Sequence, residues 1–76
     1  MTRRYALVLV PDPDEGGYTV RVPTLAGLTT EGDSLEEAFE NARDAIRLYL
    51  QDMEAHGEPA PEEKAQPQVL TIDAAA

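Results

Sequence analysis

The sequence contains no cysteine and only one histidine, His56. Without cysteine there is no disulfide framework and no thiolate metal site. One imidazole cannot supply a multi-histidine ligand set. Basic residues are also scarce, with 6 Lys and Arg against 15 Asp and Glu for a net charge of −9. Nucleic-acid binding works through Lys and Arg contacts to phosphate, so this balance argues against it. It favours a basic partner, or simply solubility. Long apolar runs are missing too. Arg3-Arg4 precede YALVLV, but that run stops at Pro11, and Asp12 and Asp14 follow. It is too short for an export signal or a membrane span, so a cytoplasmic protein with no membrane association is expected.

What is present amounts to one small domain, residues 1–76. A chain of about 60 residues buries only about 60% of its unfolded surface, so a core of this size is marginal. With disulfides and metal clusters excluded, oligomerisation is the remaining common remedy. A homo-oligomer, dimer or larger, is therefore expected.

Residues 3–10, RRYALVLV, read as a first strand. Tyr5, Leu7 and Leu9 share one face, and Ala6, Val8 and Val10 the other. Both faces are apolar, which suits a central strand or one under a subunit contact. Ala6, Val8 and Val10 are the candidate oligomer contacts. The segment PDPDEGG, 11–17, is a hairpin turn, with prolines setting φ and glycines allowing positive φ. Residues 18–23 form a second strand with Tyr18, Val20 and Val22 on one face and Thr19 and Arg21 on the other. Residues 28–31 form a short edge strand.

A helix is predicted from about Leu35 to His56. Leu35, Ala38, Phe39, Ala42, Ile46, Tyr49, Leu50 and Met53 recur at three- and four-residue steps as one apolar stripe. Ser34 and Glu37 form a capping box, each reaching the other's amide. Gly57 suits the position just past the helix end. Leu48 lies roughly 220° around from Leu35, outside the stripe. Residues 58–68, EPAPEEKAQPQ, form a proline-rich extended connection. Residues 69–73, VLTID, read as a fourth strand, and the three terminal alanines as a disordered tail.

The order β-β-β-α-β gives an α+β, two-layer fold. One long helix covers one face of a mixed sheet in the order 3-2-1-4, with strand four parallel to strand one after a right-handed crossover.

No constellation amounts to a catalytic site. Asp12, Asp14, Glu15 and Gly16 loosely resemble a calcium loop, but Glu15 stands in the wrong position and the later glutamate is missing. A solvated turn explains them. Three antiparallel strands, a helix and a parallel strand begin an RNase H-like domain. Two-metal phosphodiester hydrolysis needs clustered carboxylates, and strand one carries none. Asp73 and Glu40 alone do not rebuild such a cluster. His56 at the helix end suits the dipole and needs no catalytic role. Arg4 and Arg21 on neighbouring strands are a candidate anion site, although pairing with acids is more ordinary. No cofactor or metal is expected. Glu36, Glu37, Glu40, Asp44 and Asp52 make an acidic helix surface, with Arg43 and Arg47 placed to pair with Glu40 and Asp44. The plain reading is a solvated face. The sharper one is a docking surface for a basic partner, with Glu36, Glu40, Asp44 and Leu48 as the candidate contacts.

The run RYALVLVPDPDEGGYTVRVPTLAGLTTEGDSLEEAFENARDAI, followed by a proline-containing linker and QVLTID, resembles the HicB family of antitoxins and its stand-alone relatives over residues 4–73. The resemblance rests on a combination: the Gly-Gly-Tyr hairpin, the Val-Pro-x-Leu-x-Gly turn, Glu-Gly-Asp-Ser, Glu-Glu-Ala and Asn-Ala-Arg. It implies a partial RNase H-like fold without nuclease activity, and oligomers. It also implies a role in silencing a small basic RNA-cleaving toxin, HicA. Many members of the family add a helix-turn-helix or ribbon-helix-helix domain that binds promoter DNA. This sequence stops at Ala76, so no direct DNA binding is expected. The family often has cysteine after the turn glycine, where this chain has Leu28. The expected function is a non-enzymatic antitoxin acting by steric masking. The alternative is an orphan, self-assembling domain with another target.

Overall fold

The computed structural model describes residues 3–75. Three strands form an antiparallel sheet in the order β1-β2-β3: β1 (Val8–Pro11), β2 (Tyr18–Arg21) and β3 (Thr29–Gly32). One helix, α1 (Leu35–Ala55), packs on one face. The fold is α+β, as the hydrophobic pattern predicts.

The β1–β2 turn closes on its own backbone. The Asp12 amide donates to the Gly17 carbonyl at 3.0 Å, and the Gly16 amide to the Asp12 carbonyl at 3.0 Å. Pairing sets Leu9 beside Val20 and Val20 beside Thr30 on the helix side. Val8, Arg21 and Thr29 lie on the opposite, open side, as do Val10, Thr19 and Glu31. The alternation in strands one and two is therefore the one read from sequence.

The fully buried core is small: Val20, Val22, Leu25, Ala38 and Ala42. Leu7, Leu9 and Tyr18 pack around it, partly buried. Val22 and Leu25 belong to the turn after β2, held by the Val22 amide on the Leu28 carbonyl (3.2 Å) and the Leu25 amide on the Val22 carbonyl (3.0 Å).

The helix ends follow the cap chemistry. Ser34, in extended conformation, accepts from the Glu37 amide at 3.1 Å. The Glu37 carboxylate reaches back one residue further than the capping box predicts, to the Asp33 amide at 3.3 Å. At the other end Gly57 adopts φ +71°. Its amide donates to the Glu54 carbonyl (3.0 Å) and that of Glu58 to the Met53 carbonyl (2.9 Å). That double bond pattern satisfies the last carbonyls of the helix.

Three expectations are corrected. The ladder of strand one begins at Val8, not Arg3, and β1 is an edge strand, not a central one. Residues 69–73 form no strand, so the order 3-2-1-4 is not reached. A strand exists only where a neighbour completes its hydrogen bonds. The connection is instead tied to the body at two points, by the Tyr5 hydroxyl on the Pro61 carbonyl (2.7 Å) and by Thr24 on the Glu63 carboxylate. Beyond those ties the chain runs into solvent. Of the terminal alanines, Ala74 and Ala75 are exposed without regular structure, and Ala76 lies outside the described residues.

The third correction concerns the helix. Ala38 and Ala42 face the sheet, while Leu35 and Phe39 are exposed. The cause is close approach at Gly32, where a Cβ would meet the Ala38 amide nitrogen at 2.3 Å. Only small residues fit that seam, so the bulky ones of the predicted stripe fall on its flank.

Candidate functional site

Two surfaces carry the residues singled out from sequence. The first runs along α1. Glu36, Glu40, Asp44 and Leu48, four residues apart, are all exposed, and Leu48 retains 61% of its surface. Four-residue steps place them in one inclined row. Asp44 is engaged by Arg47 at 3.4 Å, an exposed pair of little energetic weight. Arg43 does not pair with Glu40 as expected. Its guanidinium stacks over the Phe39 ring, 5.1 Å from the centroid. The row therefore keeps most of its negative charge.

The second surface is the open side of the sheet. Val8 and Val10 lie there, paired with Arg21 and Thr19 of β2, and Ala6 precedes the ladder. Val10 is exposed, and Ala6 and Val8 are half-buried. Among the described residues α1 packs against the other face, around Val20. Arg21 stands opposite Val8 rather than beside Arg4. Arg4 instead borders a cleft of about 420 Å³ between residues 3–5 and 61–66. That cleft carries both signs of charge, from Arg3, Arg4 and Lys64 against Glu62 and Glu63.

The remaining polar groups have local duties. Asp12 Oδ1 accepts from the Asp14 amide (2.9 Å) and the Glu15 amide (3.1 Å). These bonds, that from Glu15 foremost, hold its carboxyl below the usual aspartate range. Its lone pairs serve the turn. His56 Nδ1 lies 2.7 Å from the Asp52 carbonyl and 3.5 Å from its carboxylate, one turn back on the same helix. Among the described residues no three carboxylate, imidazole or thiol groups converge where they could hold a metal ion. Nor is any helix among them long and apolar enough to cross a membrane.

The sequence reading missed the exposed flank of Leu35 and Phe39. The signal for it was the four-residue spacing of Ala38 and Ala42. Small residues at that step mark where a helix comes closest to its support, and the bulky neighbours then overhang.

The described residues thus form a three-stranded antiparallel sheet under one long, acidic helix. Comparison with known proteins gives the chain a family. The profile described as HicB-like antitoxin of bacterial toxin-antitoxin system matches residues 5–73, and the chain belongs to that family. A UPF0150 protein of Thermoplasma acidophilum is 36% identical over 63 residues, 83% of this chain and 90% of the relative. A UPF0150 protein of Synechocystis is 39% identical over 56 residues, 74% of this chain and 71% of the relative. A protein named Antitoxin HicB 1, from Photorhabdus laumondii, is 40% identical over 62 residues, covering 76% of this chain. The match spans 39% of that antitoxin's length. No solved structure matches.

Proposed function

We propose that the protein is a non-enzymatic antitoxin that neutralises a small, basic, RNA-cleaving toxin by covering its working surface. Membership of the HicB-like antitoxin family carries this reading. The acidic row of Glu36, Glu40 and Asp44, ending at Leu48, offers a physical means. Exposed like charges raise the encounter rate with a basic partner, and an apolar group that is desolvated on contact slows its release. The open sheet face, with Val8 and Val10 and with Ala6 just before the strand, is proposed as a contact between copies of the chain. Three antiparallel strands followed by a helix agree with the opening of an RNase H-like arrangement. We assign no nuclease chemistry to it, because β1 carries no carboxylate. With a net charge of −9, direct DNA recognition is no part of the proposal.

Co-expression with a toxin encoded beside the gene tests the reading, and rescue of growth is expected. Replacing Glu36 and Glu40 together by lysine should slow association, most at low salt, and leave the helix folded, since both side chains are exposed. An unchanged association rate would remove the helix row from the mechanism. Failure of the wild-type chain to bind any neighbouring toxin would favour a self-assembling domain with another target. That second reading draws on the names of the relatives of similar length, which say only UPF0150.

A further inference from the structure

Among the described residues no strand pairs with the outer edge of β1, and the helix packs on β2 and β3 instead. Asn41 of α1 donates to the Glu31 carbonyl of β3 at 2.7 Å, so that flank of the helix faces the β3 margin. At about 100° per residue, Phe39, Ile46 and Leu50 project from the opposite flank, roughly 140–180° away from Asn41. They overhang the β1 side, where Leu50 borders a second, smaller cleft with Arg3. Phe39 leaves 47% of its surface there, and Leu7 and Leu9 are only half-buried beneath. Phe39, Leu7 and Leu9 thus leave a partly exposed apolar margin beside the β1 edge.

The same chain carries an exposed apolar segment of strand-like pattern. Val69, Leu70 and Ile72 are 90%, 86% and 89% exposed. Leu70 and Ile72 alternate with Val69, Thr71 and Asp73. One apolar pair would lie beside Leu7 and Leu9, and the mixed face would extend the open side of the sheet. An exposed apolar strand and an exposed apolar edge are both liabilities unless they meet.

They do not meet within one chain. Pro61 is bound at Tyr5, and by Glu63 the chain has crossed to Thr24, beyond the end of β2. Its course leads away from its own vacant edge, with Pro67 restricting a return. The tail gives the molecule extents of 49 × 26 × 19 Å and a radius of gyration of 14.6 Å. A compact chain of this length would have about 11 Å.

We propose that residues 69–73 of one chain add as a fourth strand to the β1 edge of a second copy, and that the exchange is reciprocal. A two-fold dimer closes both edges at once, so no open chain of copies forms. The binding mode is strand addition, with main-chain bonds giving affinity and alternate side chains giving register.

Two measurements test this on the full chain. Sedimentation should give twice the 8.3 kDa chain mass. The variant Leu70→Asp/Ile72→Asp should raise the dissociation constant by about a hundredfold or more, because each interface would bury unpaired charge. Both positions are exposed in the single chain, so its helical circular dichroism should persist. In a mixture of ¹³C-labelled and unlabelled wild-type chains, filtered NOEs should link residues 69–73 of one chain to residues 5–9 of the other. A monomeric wild type, a dimer indifferent to the double substitution, or contacts found only within one chain would each overturn the proposal. The last result would mean that the strand docks on its own edge. Contacts with neither edge would leave the segment for another protein.

Discussion

Single residues set how closely the layers approach. Gly32 ends β3 directly under the first turns of α1, and an added Cβ would strike the Ala38 backbone at 2.3 and 2.5 Å. Backbone cannot rotate out of the way as a side chain can, so Gly32→Ala must lift the helix from the sheet. Overpacking of this kind costs about 1–3 kcal/mol. A fall of that size in urea-unfolding stability, with an unchanged slope, is the expected result. Asp12 gives a second, pH-dependent prediction. Its folded pKa lies below the unfolded one because the Glu15 and Asp14 amides bond the charged form. Its contribution is then complete above the unfolded pKa, about 3.9, and fades as pH falls through the lower folded value. The Asp14 and Glu15 amide resonances should titrate with a midpoint below that of an ordinary aspartate. In Asp12→Asn that titration should vanish while the turn persists, since the side-chain amide oxygen still accepts.

At the level of elements, the helix was legible from Ser34 to Gly57 because both signals are local. A hydroxyl before a run of acids caps the start, and glycine at positive φ ends it. Ser34→Ala should lower stability by about 1 kcal/mol. Thr at the same position should restore most of that loss, a comparison made by denaturant midpoint. The helix orientation was less legible. Periodicity marks a stripe about four residues wide, but the seam within it was decided by Gly32, a residue on another element. Strand pairing was legible where a turn fixed it, between Pro11 and Tyr18 and between Arg21 and Thr29. The fourth strand was strand-like in composition and still unformed. Alternation reports that a segment can pair, not that a partner lies within reach. The ties at Tyr5 and Thr24, which steer the connection, are single side-chain bonds that no pattern announces.

The whole molecule is where core size matters. Among the described residues five buried apolar side chains make a slight core. Stability drawn from contacts between copies depends on concentration by mass action, because assembly favours the folded state alone. The thermal midpoint should therefore rise as protein concentration is raised tenfold, and the rise should shrink in Leu70→Asp/Ile72→Asp. The open sheet face offers a separate contact. Val10 is exposed on that face and lies outside the core around Val20. Val10→Lys should leave the fold of the single chain intact, since only an exposed side chain changes. A charged stem in the row of Ala6 and Val8 would face its symmetry mate across any contact made there, and like charges brought together repel. Light scattering of Val10→Lys should accordingly show a smaller assembly than wild type wherever the face is in use. Equal masses for the two proteins across the micromolar range would confine assembly to the strand edge.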